Sequence, residues 1–408
     1  MNINEMIYSF VREDYQRDNF DDFLRKISFK YDVPSIHIAG TNGKTVVTSF
    51  LTNIYSKSKK HKVGTFISSS QNKKIEEMIL INGEPISLEK VEEIFNEYRK
   101  LFKKYDLSHY EISVFIALSI FLKEKADLAI LETGMGGEYD ATNVITPILS
   151  IITNVSLEHT DYLGVSLSEI ALHKAGIIKN NIPVLIGEIK GDALDVIVDI
   201  SKRKNAKITR IGETHNNSFI STGIKFDYKT YRDLEISNFS LTNIKNACTA
   251  IDAVDLLMES FPIDLVSLKE GLKTSLPAGK FEFIPGSPTF IIDGANNPDA
   301  IEKLRKDVDS LALNKETYII FASYVDKNIT VMLPEIALLG SLYLSTFPSS
   351  RARKEEDYFL YLDEYKFVED YHEIIKDIKE NHPDSLILIT GSKKFASIVS
   401  EEKKNNKI

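Results

Sequence analysis

The sequence predicts an α/β protein in which mostly parallel sheets are covered by helices, divided into a larger and a smaller domain. Three observations carry that prediction. Short β-branched runs alternate with helix-length amphipathic segments, as parallel strands joined by crossover helices require. One such run is joined to a helix by a glycine turn, Gly40-Thr41-Asn42-Gly43-Lys44-Thr45. A stretch rich in Pro and Gly, Pro277–Pro288, interrupts the alternation, which then resumes. The 408 residues suit two or three domains.

In chain order, strands are expected at Ser35–Ala39, Leu128–Leu131, Ile148–Thr153, Val184–Ile186, Phe290–Ile292, Tyr318–Phe321, Ser341–Leu344 and Leu386–Ile389. Helices are expected between them, among others at Val46–Ser58, Leu88–Tyr105 and Ala300–Leu311. The run Ile112–Leu122, ISVFIALSIFL, falls short of the roughly 20 apolar residues that span a bilayer and reads as a buried helix. Lys207–Phe239 is rich in Thr, Ile, Phe and Tyr and reads as a small β excursion. The terminal KKNNKI reads as frayed.

Composition narrows the function classes. A hydrophobic fraction of 43% with 27% charged residues excludes global disorder. With 50 Lys+Arg against 59 Asp+Glu the net charge is −9, which excludes a diffuse electrostatic grip on nucleic acid or an anionic membrane. Any polyanion must be held by local groups. The single cysteine, Cys248, excludes a disulfide framework and a multi-cysteine zinc site, and in NACTAIDAVDLL it reads as a small buried thiol. The N-terminal residues lack a basic segment followed by an apolar one, so no secretory signal is expected and the location expected is cytoplasmic.

The glycine turn is the strongest local signal. Gly40 and Gly43 allow positive φ and close approach of the backbone to a ligand. The turn and the helix N-terminus aim N–H groups at an anion. Lys44 is expected to reach terminal phosphates, and the Thr45 hydroxyl to ligate Mg²⁺. Two residues separate the glycines, against four in the general phosphate-binding loop.

This short loop resembles that of the Mur ligase superfamily, and six further motifs in order resemble its folate branch, the folylpolyglutamate and dihydrofolate synthases. They are LETGMGGEYDATNVI (Leu131–Ile145), TNVSLEHTDYLG (Thr153–Gly164) with EIALHKAGIIK (Glu169–Lys179), LTNIKNACTA, IIDGANNPDAI and LILITGSKKF. The resemblance implies a P-loop-type sheet domain over residues 1–285 and a smaller Rossmann-like α/β domain over 286–408. It implies an ATP-dependent amide ligase that joins L-glutamate to the γ-carboxylate of a reduced folate through an acyl phosphate, acting as a monomer with small-molecule substrates.

The resemblance also distributes roles. Gly40, Thr41, Asn42, Gly43, Lys44, Thr45, Asn243, Asn246, Lys280 and Asp293 would hold ATP. Thr45, Ser68, Glu132, His159 and a carbamylated Lys174 would hold Mg²⁺, two ions in all, and Lys44, Lys174 and His159 would serve catalysis. Asp140, Ala141, Asn296 and Ser392 would face folate or glutamate. Physical chemistry agrees for Glu132, a hard oxygen ligand at the end of the apolar strand LAIL. Asn243 and Asn246 fall on one helix face.

Four departures bear on the substrate more than on phosphate handling. The loop continues GKTVV, and Ser69 stands for the proline of the family's TSP loop, whose serine corresponds to Ser68. Asn296 replaces a histidine and cannot become cationic. Lys280 replaces an arginine and loses bidentate geometry. These substitutions keep three alternatives open: dihydrofolate synthase or a bifunctional enzyme, a peptidoglycan-type ligase, for which the segment before the first strand leaves no extra domain, and a nucleotide-binding module without ligase activity.

Overall fold

The computed structural model describes residues 2–12, 16–68 and 74–408. The chain forms two compact units. The first comprises Met1–Thr214, Tyr228–Leu234 and Lys245–Thr274; the second comprises His215–Asp227, Glu235–Ile244 and Ser275–Ile408.

The first unit is built on an eight-stranded sheet. Its strands are β1 (Ser35–Ala39), β2 (Val63–Phe66), β3 (Ile79–Ile81), β4 (Glu84–Pro85), β5 (Leu128–Glu132), β6 (Leu149–Ile152), β7 (Val184–Ile186) and β8 (Ile208–Arg210), in the spatial order β4-β3-β2-β5-β1-β6-β7-β8. Strands β2, β5, β1, β6, β7 and β8 run parallel, and β3 and β4 close one edge antiparallel. The central strands β1, β5 and β6 are buried throughout. β1 pairs with β5 on one side and β6 on the other, with Ile38 opposite Glu132 and Ala39 opposite Ile152. The C-terminal ends of three parallel strands thus lie side by side, the end of the sheet at which α/β proteins bind ligands.

The expected buried helix is His109–Lys123. Ser108 caps it, and Glu111 completes a capping box. Phe115 lies at its centre, edge-on to Phe23 and Phe102, with all three rings buried. Burying each such ring stabilises by about 2–3 kcal/mol. Residue 69 falls outside the described residues. β2 escaped the sequence reading because VGTF is short and carries Gly64, whose missing Cβ admits the Phe121 ring.

After β8 come β9 (Thr214–Ile220), β10 (Gly223–Tyr228) and β11 (Tyr231–Ile236), the expected β excursion, in the order β11-β10-β9. The second unit carries a six-stranded sheet of β12 (Glu282–Ile284), β13 (Thr289–Ile292), β14 (Thr317–Phe321), β15 (Ser341–Leu344), β16 (Lys366–Phe367) and β17 (Leu386–Thr390), ordered β12-β13-β17-β14-β15-β16. Only β12 runs antiparallel. β12 reads poorly as a strand because three residues between glycine turns show no periodicity. Cys248 is buried, and burial pushes its thiol up to about 12. Among the described residues no helix is long and apolar enough to cross a membrane.

Candidate active site

β1 delivers the chain to the glycine turn, and the helix Lys44–Ser58 begins directly after it. Gly43 has φ +84°, and a Cβ there would stand 2.5 Å from Asn246 Oδ1. A Cβ on Gly40 would stand 1.9 Å from Thr153 Oγ1. A side chain at either position would be strained by the positive φ (+153° and +84°) and would require Thr153 or Asn246 to shift. The turn is held from the segment after β6. The Thr41 and Asn42 amides donate to Asn154 O and Oδ1 (3.1 and 2.7 Å), Thr41 Oγ1 donates to Ser156 O (3.0 Å), and Thr153 Oγ1 donates to Asn42 O (2.6 Å). Lys44 is nearly buried, and its ammonium donates to Gly40 O at 2.8 Å, so the charge sits over the loop's own backbone.

Beside this loop, Thr45 Oγ1 donates to Glu132 Oε1 at 2.9 Å. Glu132 is 1% exposed, and its Oε2 is buried without a hydrogen-bond partner. An orphaned carboxylate oxygen is costly to bury. Next to a hydroxyl and a phosphate-type loop it fits a hard divalent cation, which takes one or two carboxylates and fills its shell with substrate phosphates. Ser68 Oγ donates to the carbonyl of Thr133, the residue after Glu132, which brings the third predicted oxygen ligand to the same strand end.

Lys174 is 2% exposed in the last turn of the helix Leu167–Ala175. That end docks on the glycine segment after β5: the Glu138 amide donates to His173 O (2.8 Å), and Asn143 Nδ2 donates to Gly176 O (3.2 Å). His159 follows β6 in the chain. It precedes the short helix Thr160–Leu163 with φ +53°, its side chain is exposed, and its imidazole lies 3.8 Å from the carboxylate of Glu158. Among the described residues no group of three or more His, Cys, Asp and Glu is gathered as a metal site.

Asp140 is fully engaged by the protein. Its carboxylate accepts from the amides of Gly134, Met135 and Thr142, from Thr142 Oγ1 and from Tyr110 OH (2.5–3.3 Å). Burial holds its carboxyl above the usual range despite these bonds. Asp140 therefore braces the glycine turn, and Ala141 is buried at the start of the following 3₁₀ turn. Below it, His37 Nε2 meets Thr142 Oγ1 at 2.8 Å, and burial pushes that imidazole down to about 3, leaving it neutral.

In the second unit, Asp293 directly follows β13 and accepts from the amides of Phe281 and Ala295, both at 2.8 Å. Burial holds its carboxyl above the usual range, with the charge of Lys280 opposing. Asn296 is half-buried on the loop after β13. Ser392 is buried and caps the helix Lys393–Lys404. Its loop neighbours that of Asn296, since the Gly391 amide donates to Ala295 O at 3.0 Å. Asn243 and Asn246 share the helix Leu241–Leu257 but meet different partners: Asn246 lies against Gly43, and Asn243 Nδ2 donates to Asn238 Oδ1 at 2.9 Å. Thr153, Asn154, Tyr110 and Asn238 were missed as site residues. An Asn directly after a strand was the available signal for Asn154.

Residues 38–254 match the Mur ligase middle domain family. A dihydrofolate synthase/folylpolyglutamate synthase of Bacillus subtilis is 29% identical over 91% of this chain and 91% of its own length. The apo form of L. casei folylpolyglutamate synthase superposes with a TM-score of 0.85 at 26% identity, covering 99% of this chain and all of that one. A folylpolyglutamate synthase–AMPPCP complex superposes at 0.84 with 26% identity, again over 99% of this chain and 100% of the other.

Proposed function

The chain belongs to the folylpolyglutamate synthase branch of the Mur ligase family, and from that premise we propose that it is an ATP-dependent ligase adding L-glutamate to the γ-carboxylate of a reduced folate. The observation that supports it most directly is the Thr45–Glu132 hydrogen bond beside the glycine turn, a cation-ready pair next to a phosphate cradle. The AMPPCP bound by the relative of known structure supports ATP as co-substrate.

A carboxylate does not condense with an amine near neutral pH, so it must first be activated. The folate γ-carboxylate attacks the γ-phosphorus of ATP, the bond to the β–γ bridging oxygen breaks, and an acyl phosphate and ADP result. The glutamate amine then attacks the acyl carbon, phosphate leaves, and the amine gives up a proton. The protein's part in the first step is positioning and charge neutralisation. In this reading Lys44 and the amides of the turn beyond Thr41 and Asn42, which donate to Asn154, would hold the phosphates, and Thr45, Ser68 and Glu132 would hold a Mg²⁺ ion. Lys174, as its carbamate, and His159 serve a second ion. Bound Mg²⁺ supplies further neutralisation of phosphate charge. Asp293 and Lys280 serve the nucleotide, and Asn296 and Ser392 the incoming glutamate. This resolves how a chain of net charge −9 handles polyanions: the positive potential is local. We place the enzyme in the cytoplasm as a monomer with residues 1–285 and 286–408 as its domains.

The test is purified protein with MgATP, glutamate and tetrahydrofolate, following phosphate release and folate mass together. A glutamate-sized mass gain matched to phosphate supports the reading, and nucleotide binding without ligation of any folate sinks it. The double name of the Bacillus subtilis relative makes dihydropteroate the second acceptor to try.

A further inference from the structure

The short helix Ile75–Met78 directly precedes β3. Its N-cap is Lys74, whose side chain makes no capping hydrogen bond, although the first amides of a helix have no acceptor within it. The acceptor comes from 71 residues away in the chain. Asn4, on the helix Ile3–Tyr8, accepts from the Ile75 amide through Oδ1 (2.7 Å) and donates through Nδ2 to Glu76 Oε2 (3.0 Å). A backbone amide only donates, which fixes the orientation of the Asn4 side chain. Ile75 is fully buried, where an unpaired amide is costly. Ile3 and Ile7 pack in the same core as Ile75 and Met78, and Tyr8 OH donates to Met78 Sδ at 4.0 Å, so the capping helix is itself firmly seated.

The other end of the capped helix holds the approach to the candidate site. Met78 O accepts from the Ile67 amide at 2.9 Å, next to the Phe66–Ile79 pair of β2 and β3. Ser68 follows Ile67, and its Oγ donates at 2.8 Å to the carbonyl of Thr133, the residue after Glu132. We propose that Asn4 is a positioning residue for the Ser68 hydroxyl. It caps the helix Ile75–Met78, that helix fixes Ile67, and Ile67 sets where the Ser68 side chain meets the end of β5. Every link lies within the first unit. The inference rests on the reading of Ser68 as a ligand of a divalent cation.

The probe is Mn²⁺, whose free-ion paramagnetic resonance signal is lost on binding, titrated into the protein with AMPPCP present. Wild type is compared with Ser68→Ala, Asn4→Ala, Asn4→Asp and the double variant Asn4→Asp/Glu76→Gln, with thermal melting measured alongside. Asn4→Ala weakens Mn²⁺ binding about tenfold, the low end of what is lost when a group supporting a metal ligand is altered. Asn4→Asp keeps an acceptor for the Ile75 amide but sets two carboxylates against each other, and it weakens Mn²⁺ binding too. Adding Glu76→Gln gives the new carboxylate an amide donor and restores the wild-type affinity. A merely structural role would lower the melting temperature of Asn4→Ala and leave its Mn²⁺ affinity unchanged, and that result overturns the proposal. If Asn4→Ala does not fold, the Asn4→Asp pair decides, since equal Mn²⁺ affinities in the single and double variants also overturn it. Mn²⁺ binding weakened by Ser68→Ala but by no Asn4 variant sinks the proposal alone. Mn²⁺ binding unchanged in Ser68→Ala removes the reading of Ser68 as a ligand, and the proposal falls with it.

Discussion

Thr45 Oγ1 donates to Glu132 Oε1 at 2.9 Å across 87 residues of sequence. The contact joins the residue that follows the phosphate loop's lysine to the buried end of the neighbouring parallel strand. It leaves Glu132 Oε2 without a hydrogen-bond partner, the oxygen that would meet a cation on the function proposed above.

Glu132→Gln keeps the shape and an acceptor for Thr45 but removes the charge. The apparent Mg²⁺ affinity in ADP formation should fall by roughly 10- to 100-fold, the loss typical when groups around a metal are altered. An unchanged Mg²⁺ titration would dismiss Glu132 as a ligand. Chelation with EDTA should stop the wild-type reaction, and added Mg²⁺ should restore it.

Lys44→Ala removes the only ammonium held over the loop carbonyls of Gly40 and Thr41 among the described residues. Turnover should drop on the order of 10³-fold or more, as when a charge is taken from a phosphoryl-transfer site. Near-wild-type ADP release from a folded variant would refute the role given to this lysine.

Lys174 is tested without relying on turnover. Wild type equilibrated with ¹³C-bicarbonate should show a carbamate carbon resonance that Lys174→Ala lacks. Activity lost in Lys174→Ala should return in part with a short-chain carboxylic acid, which refills the anionic position. Equal spectra for the two proteins would remove the carbamate from the account.

Asp307 gives a pH prediction. It is buried and accepts from Ser240 Oγ and the Thr242 amide, and burial raises its carboxyl from 3.8 to about 6. The folded state therefore binds this proton more tightly than the unfolded chain does. The contribution of Asp307 to stability accordingly falls as pH rises from about 4 to about 6, by at most roughly 3 kcal/mol. Asp307→Asn lacks that slope, so urea unfolding curves of variant and wild type should diverge in the variant's favour across this window. Parallel curves would contradict the assignment.

Gly43→Ala places a Cβ at φ +84°, 2.5 Å from Asn246 Oδ1. The left-handed backbone alone costs about 1–2 kcal/mol. The nucleotide KM should rise about tenfold while circular dichroism stays that of wild type. An unaltered KM would show that the turn tolerates the side chain.

Much of this molecule was legible in its residues because the signals are local. Strand–turn–helix order around Gly40–Thr45, the run Ile112–Leu122 and the alternation after Pro288 each depend on near neighbours in sequence. So do the identity of Glu132 as a strand-end carboxylate and the burial of Cys248. What the sequence did not reveal is which polar groups meet, whether they are near or far along the chain. Nothing near Asp140 says that five protein donors claim its carboxylate. Nothing in LTNIKN says that Asn243 turns to Asn238 while Asn246 turns to Gly43. Side-chain hydrogen bonds are directional and short, so which of several equivalent groups faces a given partner depends on the exact course of the backbone, even where the partner is only a few residues away. The order of residues settles which chemical groups are present and on which elements they ride. The fold decides which of them are already engaged and which, like Glu132 Oε2, are buried without a hydrogen-bond partner.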